Sequence, residues 1–275
     1  MRNWLAKLQS IDRRIMYLLL IVMIGVPLLW DFMRQELSIG TEIRGVYDTV
    51  ERVPDSKIAI VSIVWGAGTL GENRPQTEVI ARHLFRKGVP FVVIPWDQQG
   101  TTLSYGTIEA VAQEMGKEYG TDWISSGFRV PYIAQFLQSL VWDIPGTIGN
   151  DIHGRPVDSY PLMEGIKTAE DIGMVVEITP SATLDNWIAF IGQPRRVPIV
   201  YAPTAVMVPE GYNYLDTRQI RGMLPGLIGA AKYEQLLEHR GFASRAANAL
   251  STSHLMIIIL IILGNLGYYI SRRQQ

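Results

Sequence analysis

The chain has 275 residues, a formal net charge of -1 and no cysteine. The charge balance provides no overall basic field for nucleic acid, and the absence of cysteine excludes disulfides, thiolate metal sites and cysteine nucleophiles. Two apolar segments near the ends leave roughly 220 residues between them, enough for one well-filled α/β domain.

Residues 1–14 are predicted to form a short amphipathic segment on the cytoplasmic surface of a membrane. Trp4, Leu5, Leu8 and Ile11 follow one another at helical spacing, and basic residues lie between them. This pattern is typical of a helix lying in the membrane interface. A disordered tail is the alternative interpretation.

Residues 15–33 are predicted to form the first transmembrane helix. Positions 15–30 carry no charge, and these about 16 residues make roughly 24 Å of helix. Phe32 and Met33 lengthen the segment toward the ~30 Å thickness of the hydrocarbon core. A cleaved signal peptide is the alternative, but residues 27–31 offer no small-residue cleavage site.

Residues 246–271 are predicted to form the second transmembrane helix, followed by a tail at 272–275. The apolar run ends in Tyr268 and Tyr269, which suit the membrane interface, and Arg272 and Arg273 suit the lipid headgroups. The run has no polar face, which favours a membrane span over the alternative of a buried core helix.

The second span carries a polar residue between small ones. Asn265 is flanked by Gly264 and Gly267. A polar amide in a membrane is stabilised by a partner in another helix, and glycines allow two helices to approach closely. These residues are predicted to form a helix–helix contact; simple tolerance of one amide near the interface is the alternative.

Basic residues near the spans predict the orientation. The two tails carry six of them, Arg2, Lys7, Arg13, Arg14, Arg272 and Arg273. The domain side carries four, Arg34, Arg44, Arg240 and Arg245. Because basic residues are retained in the cytoplasm, we expect both termini there and the domain outside the cytoplasm, in a two-pass protein of the cell membrane.

Between the spans, residues 34–245 alternate short apolar runs with helical patterns. Strands are predicted at 57–65, 89–96, 121–126, 174–179 and 197–206, and helices at 78–87, 107–119, 131–142, 184–191 and 227–239. Strands that are apolar along their length, alternating with helices, indicate a mostly parallel sheet covered on both faces. The predicted fold is therefore a three-layer Rossmann-like α/β domain flanked by an N-terminal and a C-terminal transmembrane helix.

In such folds ligands bind beyond the carboxyl ends of the strands. The strand ends carry polar or small residues at Gly66, Asp97, Ser125, Ser126, Thr179, Ser181 and Thr204. Glu177 is a carboxylate inside an apolar strand, so it either reaches this crevice or caps an edge. The sequence predicts a ligand-binding crevice at these positions.

Gly66, Gly68 and Gly71 form a G-x-G-x-x-G pattern directly after the first strand. In dinucleotide-binding proteins this spacing gives a tight turn and lets a pyrophosphate approach a helix N-terminus, while an acidic residue such as Asp97 binds the ribose. The residues that follow Gly71 predict a helix that begins later, with Asn73 as a possible cap and Pro75 in the first turn. Asp97 lies further along the chain than the acidic residue of the usual motif. An NAD-type dinucleotide is one interpretation, and a plain glycine-rich loop is the other.

Two other chemistries have weaker patterns. Possible metal ligands occur at Asp151, His153 and Asp158. The sequence around them is more typical of an exposed loop, so no metal site is predicted. Ser125 and Ser126 could supply a nucleophile, but no G-x-S-x-G turn surrounds them.

The sequence as a whole resembles a family of bacterial and archaeal proteins with two membrane spans and a Rossmann-like domain. The similar segments are 11–14, 82–88, 119–122, 226–234 and 262–267. The resemblance implies this architecture and no particular chemistry.

The function predicted from these observations is an interaction or scaffold subunit of a membrane assembly, in contact with the lipid bilayer and not with nucleic acid. Its expected partners are further copies of the chain or other membrane protein subunits, and ligand sensing in the crevice is a possible addition. The alternative is a membrane-bound enzyme that depends on a nucleotide or dinucleotide and uses Gly66, Gly68, Gly71 and Asp97.

Overall fold

A computed structural model describes residues 12–30, 36–129 and 132–272. The chain divides into two compact units, one of Ser38–His239 and one of the terminal segments Met1–Leu37 and Arg240–Gln275. Most of the predicted amphipathic segment at 1–14 lies outside the described residues, as do Phe32 and Met33.

The first unit is built on a six-stranded sheet in which every pairing is parallel. Its strands lie in the order β3-β2-β1-β4-β5-β6. Every strand residue is buried, so the prediction of a parallel sheet covered on both faces is confirmed. The strands are β1 (Ile58–Ile63), β2 (Phe91–Pro95), β3 (Trp123–Ser125), β4 (Ile172–Thr179), β5 (Ile199–Pro203) and β6 (Gly222–Met223).

Helices cover the two faces of this sheet. One face packs against α5, α6 and α7 in a large apolar core, and on the other side α2, α3, α4 and α10 pack against one another. A π-helical turn (Ile188–Gly192) joins α7 to α8. The helices are α1 (Arg13–Leu29), α2 (Thr41–Glu51), α3 (Leu70–Lys87), α4 (Gln98–Met115), α5 (Ile133–Leu140), α6 (Ile144–Ile148), α7 (Leu184–Trp187), α8 (Gln193–Arg195), α9 (Val208–Asp216), α10 (Gly226–Leu236) and α11 (Phe242–Arg272).

Two helices begin earlier than the sequence predicts. Helix α3 begins at Leu70 rather than after a cap at Asn73, so Asn73 lies within the helix, together with Gly71 and Pro75. Polar side chains in its first two turns form hydrogen bonds with distant backbone groups, and these tertiary contacts outweigh the loss of one backbone bond at Pro75. Helix α4 begins at Gln98 because Asp97 caps it.

The second unit consists of α1 and α11, which pack against each other. The Thr252 hydroxyl donates a hydrogen bond of 2.6 Å to the Met23 carbonyl. Within the described residues one helix is long and apolar enough to cross a membrane, over the 28 residues Phe242–Tyr269. Helix α1 has 17 described residues, roughly 25 Å of helix, and is not shown to be a span.

The predicted helix–helix contact residues lie on different sides of α11. Gly267 is buried, Gly264 is half-buried and Asn265 is exposed. Buried positions on α11 also include Ala249, Ser253 and Met256. The Thr252 hydroxyl joins α11 to α1, whereas the predicted contact residue Asn265 lies on the exposed surface of the helix.

Candidate functional site

The strand order places the topological switch point between β1 and β4, because the chain runs outward from these two strands in opposite directions. In open α/β sheets the crevice outside the carboxyl ends at this point is the usual ligand site. The candidate ligand site therefore lies among the residues that follow β1, β2 and β4.

The glycine-rich loop lies against the end of β2. A Cβ atom on Gly66 would lie 3.1 Å from the Asp97 Oδ1 atom and 3.3 Å from the Gln99 Oε1 atom. The Gln99 amide oxygen also accepts a hydrogen bond of 3.3 Å from the Ala67 N–H. Gly68 and Gly71 have open space where a Cβ would point. The groups that closely approach Gly66 are therefore the side chains of Asp97 and Gln99.

Asp97 serves as the N-cap of α4. Its Oδ1 atom accepts a hydrogen bond of 2.6 Å from the Gly100 N–H. A Cβ on Gly100 would lie 2.1 Å from the Trp65 carbonyl oxygen, so the start of α4 packs directly on the chain that leaves β1. The carboxylate that was predicted to bind a ribose stabilises the protein's own helix here.

A buried polar cluster links the first turns of α3 to the ends of β5 and β6 by hydrogen bonds. This cluster was not predicted from the sequence. The Gln76 Nε2 atom donates hydrogen bonds of 2.7 Å to the Pro203 and Leu224 carbonyls. Glu72 accepts a hydrogen bond of 2.8 Å from the Ala205 N–H. Glu72 lies in the first turn of α3, where its carboxylate opposes the approach of a pyrophosphate.

The remaining predicted residues are spread along the carboxyl edge. Ser125 and Ser126 are buried at the end of β3, where the Ser126 hydroxyl bonds the neighbouring Gly127 carbonyl at 3.0 Å. Thr204 is buried after β5, and its hydroxyl has no hydrogen-bond partner among the residues that the structure describes. The open groove between the loop after β3 and helices α5 and α6 contains none of the residues predicted for the crevice in its lining.

Glu177 lies on the central strand β4 with no solvent exposure. It pairs in register with Ser62 on β1 and with Tyr201 on β5. The Thr183 hydroxyl donates a hydrogen bond to its Oε1 atom, while Oε2 has no partner in the described part of the chain. Burial raises the pKa of Glu177 to about 7, because desolvation penalises the charged carboxylate.

Two tryptophans occupy the space beside this carboxylate. The indole N–H groups of Trp96 and Trp187 both donate to the Ser62 hydroxyl, at 3.0 and 3.1 Å. Both rings are buried. The sheet face next to the switch point is therefore packed with aromatic side chains.

The possible metal ligands around Asp151 form a structural cluster. Asp151 accepts hydrogen bonds from the Tyr160 hydroxyl at 2.6 Å and the Tyr119 hydroxyl at 2.9 Å, and from the backbone N–H groups of His153 and Arg155. Burial opposes ionisation, yet these hydrogen bonds hold the pKa of Asp151 below its ordinary value. No group of three or more metal-ligating side chains occurs within residues 12–30, 36–129 and 132–272.

An open groove of about 740 Å³ lies between the loop after β3 and helices α5 and α6. We call it the aromatic groove; its aromatic lining residues are Phe128, Tyr132, Phe136 and Trp142, and Arg129 and Asp143 also line it. Tyr132 and Trp142 are each 71% exposed and Phe128 is 44% exposed. The Arg195 guanidinium lies 4.9 Å from the centre of the Trp142 ring.

Fold and site together define a Rossmann-like α/β protein with a candidate membrane-spanning helix at its C-terminal end. Comparison of the chain with protein-family models, with curated proteins and with solved structures finds no match. The resemblance to a two-span family therefore stays a prediction.

Proposed function

We propose that this protein is a membrane-anchored interaction subunit that assembles with a second copy of itself through the aromatic groove. The observation that carries the proposal is the exposure of Phe128, Tyr132 and Trp142 around one concave surface. Large aromatic side chains are enriched at the energetic centres of protein interfaces, and exposed apolar patches of this kind mark interaction sites.

The charges of the groove favour a second copy as the occupant. Arg129 and Asp143 line the same surface and carry opposite charges. In a two-fold symmetric dimer each surface faces itself, and an axis that passes between the two residues places Arg129 of one copy against Asp143 of the other, and the reverse. The aromatic rings then supply the apolar centre of the interface.

The proposed anchor consists of two spans, α1 and α11. The interhelical hydrogen bond from Thr252 to the Met23 carbonyl is of a kind that supports helix association in a membrane. The six basic residues of the two tails favour cytoplasmic termini and a domain outside the cytoplasm. Two attachment points restrict the domain to the membrane surface, which suits a subunit of an assembly.

Substitution of Trp142 by Asp tests this assembly. We expect the wild-type chain in detergent to sediment as a dimer and the Trp142→Asp variant to sediment as a monomer, because a charge replaces one of the two most exposed aromatic rings of the groove. Tyr212→Asp is the matched control, since Tyr212 is 43% exposed and does not line the groove. A monomeric wild-type chain, or a dimeric Trp142→Asp variant, contradicts the proposal.

The second candidate function is a dinucleotide-dependent enzyme, and the strand order is the observation in its favour. The order β3-β2-β1-β4-β5-β6 is that of the dinucleotide-binding fold, and Gly71 lies inside α3 as that motif requires. Against it, Asp97 caps α4 and Glu72 places a negative charge at the start of α3.

Thermal stability in the presence of NAD separates the two functions. A ligand at ~100 times its dissociation constant adds about 2.7 kcal/mol to the free energy of unfolding. Because protein groups already engage Asp97 and approach Gly66, we expect no change in melting temperature with NAD, NADP or ATP. A clear stabilisation that Asp97→Ala abolishes makes the enzyme the better account.

A further inference from the structure

A second concave surface lies at the amino ends of β1, β4, β5 and β6, opposite the carboxyl edge of the sheet. Two adjoining cavities of about 610 and 360 Å³ share Arg52, Gly173, Arg196 and Pro198 in their walls. We call them together the basic cleft. Its positively charged lining residues are Arg52, Lys57, Arg195, Arg196 and Arg221, and its carboxylates are Asp48 and Glu170.

Three of these cations have no partner in the part of the chain that the structure describes. Among the residues that the structure describes, the side chains of Lys57, Arg196 and Arg221 form neither an ion pair nor a hydrogen bond. Arg52 contacts Asp48 at 3.9 Å, a distance at the limit of an ion pair, and its side chain is largely exposed. The lining therefore carries an excess of positive charge, with five cationic side chains against two carboxylates.

The backbone around the cleft is irregular at two points. Arg196 has a φ of 55°, a left-handed conformation that is rare for residues other than glycine. The pairing of β1 with β4 shifts register between Ile58 and Ala59, which leaves Gly173 of β4 without a partner on β1. Bulges and left-handed residues concentrate at binding sites, where they redirect side chains.

Close packing at the bulge requires the glycine. A Cβ on Gly173 would lie 2.7 Å from the Val53 Cγ1 atom and 3.2 Å from the Lys57 Cβ atom. The glycine thus lets the segment that carries Lys57 pack closely against β4, and Lys57 and Arg196 come to line the same cavity.

We propose that the basic cleft binds a phosphate-bearing anion. Guanidinium groups bind phosphate oxygens through paired, charge-assisted hydrogen bonds, and lysine adds a point charge. Several unpaired cations around one cavity match a group with two or more negative charges. Soluble phosphate compounds and the headgroups of anionic phospholipids share this chemistry. The cleft shares no lining residue with the aromatic groove, although Arg195 of the cleft lies 4.9 Å from the Trp142 ring. Anion binding in the cleft requires no second copy of the chain, so it does not depend on the proposed function.

The test measures binding to the full chain in nanodiscs of phosphatidylcholine, with two probes. Inorganic pyrophosphate is titrated by calorimetry, and the melting temperature is compared between nanodiscs of pure phosphatidylcholine and nanodiscs that contain phosphatidylglycerol. The variants are Arg196→Gln and Arg221→Gln. Arg218→Gln is the matched control, because Arg218 is exposed, has a φ of 59° like Arg196, and lies outside the cleft.

We expect pyrophosphate to bind the wild-type chain and the Arg218→Gln variant equally, and Arg196→Gln and Arg221→Gln each to weaken binding roughly tenfold. If phosphatidylglycerol alone stabilises the chain, and the two cleft variants lose that effect, the anion is a lipid headgroup. The proposal is overturned if neither probe acts on the wild-type chain, or if the cleft variants respond to both probes as Arg218→Gln does.

Discussion

Replacement of Glu177 by Gln is expected to stabilise the protein at about pH 8 by roughly 3 kcal/mol, with little effect at about pH 5. Glu177 is fully buried, and burial raises its pKa to about 7 from an ordinary value of 4.5. Between these two values the folded state binds a proton that the unfolded state has released. The contribution of Glu177 to stability is therefore complete below about pH 4.5, falls as the pH rises toward 7, and stays low above that.

Glutamine has nearly the same shape and does not titrate in this range. Its amide oxygen can still accept the hydrogen bond from Thr183, so the variant keeps the packing around Ser62 and the two tryptophans. The measurement is the free energy of unfolding in urea as a function of pH, for both chains in the same detergent.

The control for this experiment is Glu118→Gln on the exposed end of the β2–β3 connection. This substitution is expected to change the free energy of unfolding by less than about 0.5 kcal/mol at either pH. A difference between wild type and Glu177→Gln that does not vary with pH would show that Glu177 has the same pKa in the folded and the unfolded state. That outcome would contradict the described environment of the carboxylate.

Replacement of Gln76 by Leu is expected to lower the free energy of unfolding by roughly 3–5 kcal/mol. Gln76 has no solvent exposure, and its amide nitrogen donates to the Pro203 and Leu224 carbonyls at 2.7 Å. Its amide oxygen accepts a hydrogen bond of 2.8 Å from Asn73. Leucine fills the same volume but leaves these buried polar groups without partners, and each unsatisfied group costs about 1–3 kcal/mol.

Gln113→Leu is the matched control for this substitution. Gln113 lies on the exposed face of α4 and bonds only the Glu109 side chain four residues away, so its replacement should change the free energy of unfolding by less than about 0.5 kcal/mol. Equal free energies of unfolding in urea for Gln76→Leu and Gln113→Leu would contradict the conclusion that Gln76 stabilises the packing of α3 against β5 and β6.

The first five strands were predictable because they are short apolar runs between clear turn residues. Strand β6 was missed because it has two residues, Gly222 and Met223, which form no pattern of their own. Its place in the sheet follows from packing: a Cβ on Gly222 would lie 2.2 Å from the Val46 backbone nitrogen, so α2 rests directly on this strand. Contacts of this kind depend on the whole fold and have no local signal.

The candidate site was less predictable than the fold. The spacing of the glycines indicated a tight approach at Gly66, but the partners in that approach are Asp97 and Gln99 rather than a pyrophosphate. The early start of α3 could not be read from the sequence, because it depends on hydrogen bonds from Gln76 to residues more than 120 positions away. Likewise, spacing shows that Tyr132 and Phe136 share a helical face, but only the packed structure shows a groove there.

Disulfide cross-linking in membranes measures directly whether the aromatic grooves of two copies of the chain meet. The chain has no cysteine, so Tyr132→Cys introduces a single thiol in the groove and Tyr212→Cys a single thiol away from it. If two copies assemble through the aromatic groove, mild oxidation converts the Tyr132→Cys variant to a disulfide-linked dimer much faster than the Tyr212→Cys variant. Equal or slower cross-linking at position 132 would contradict assembly through the groove.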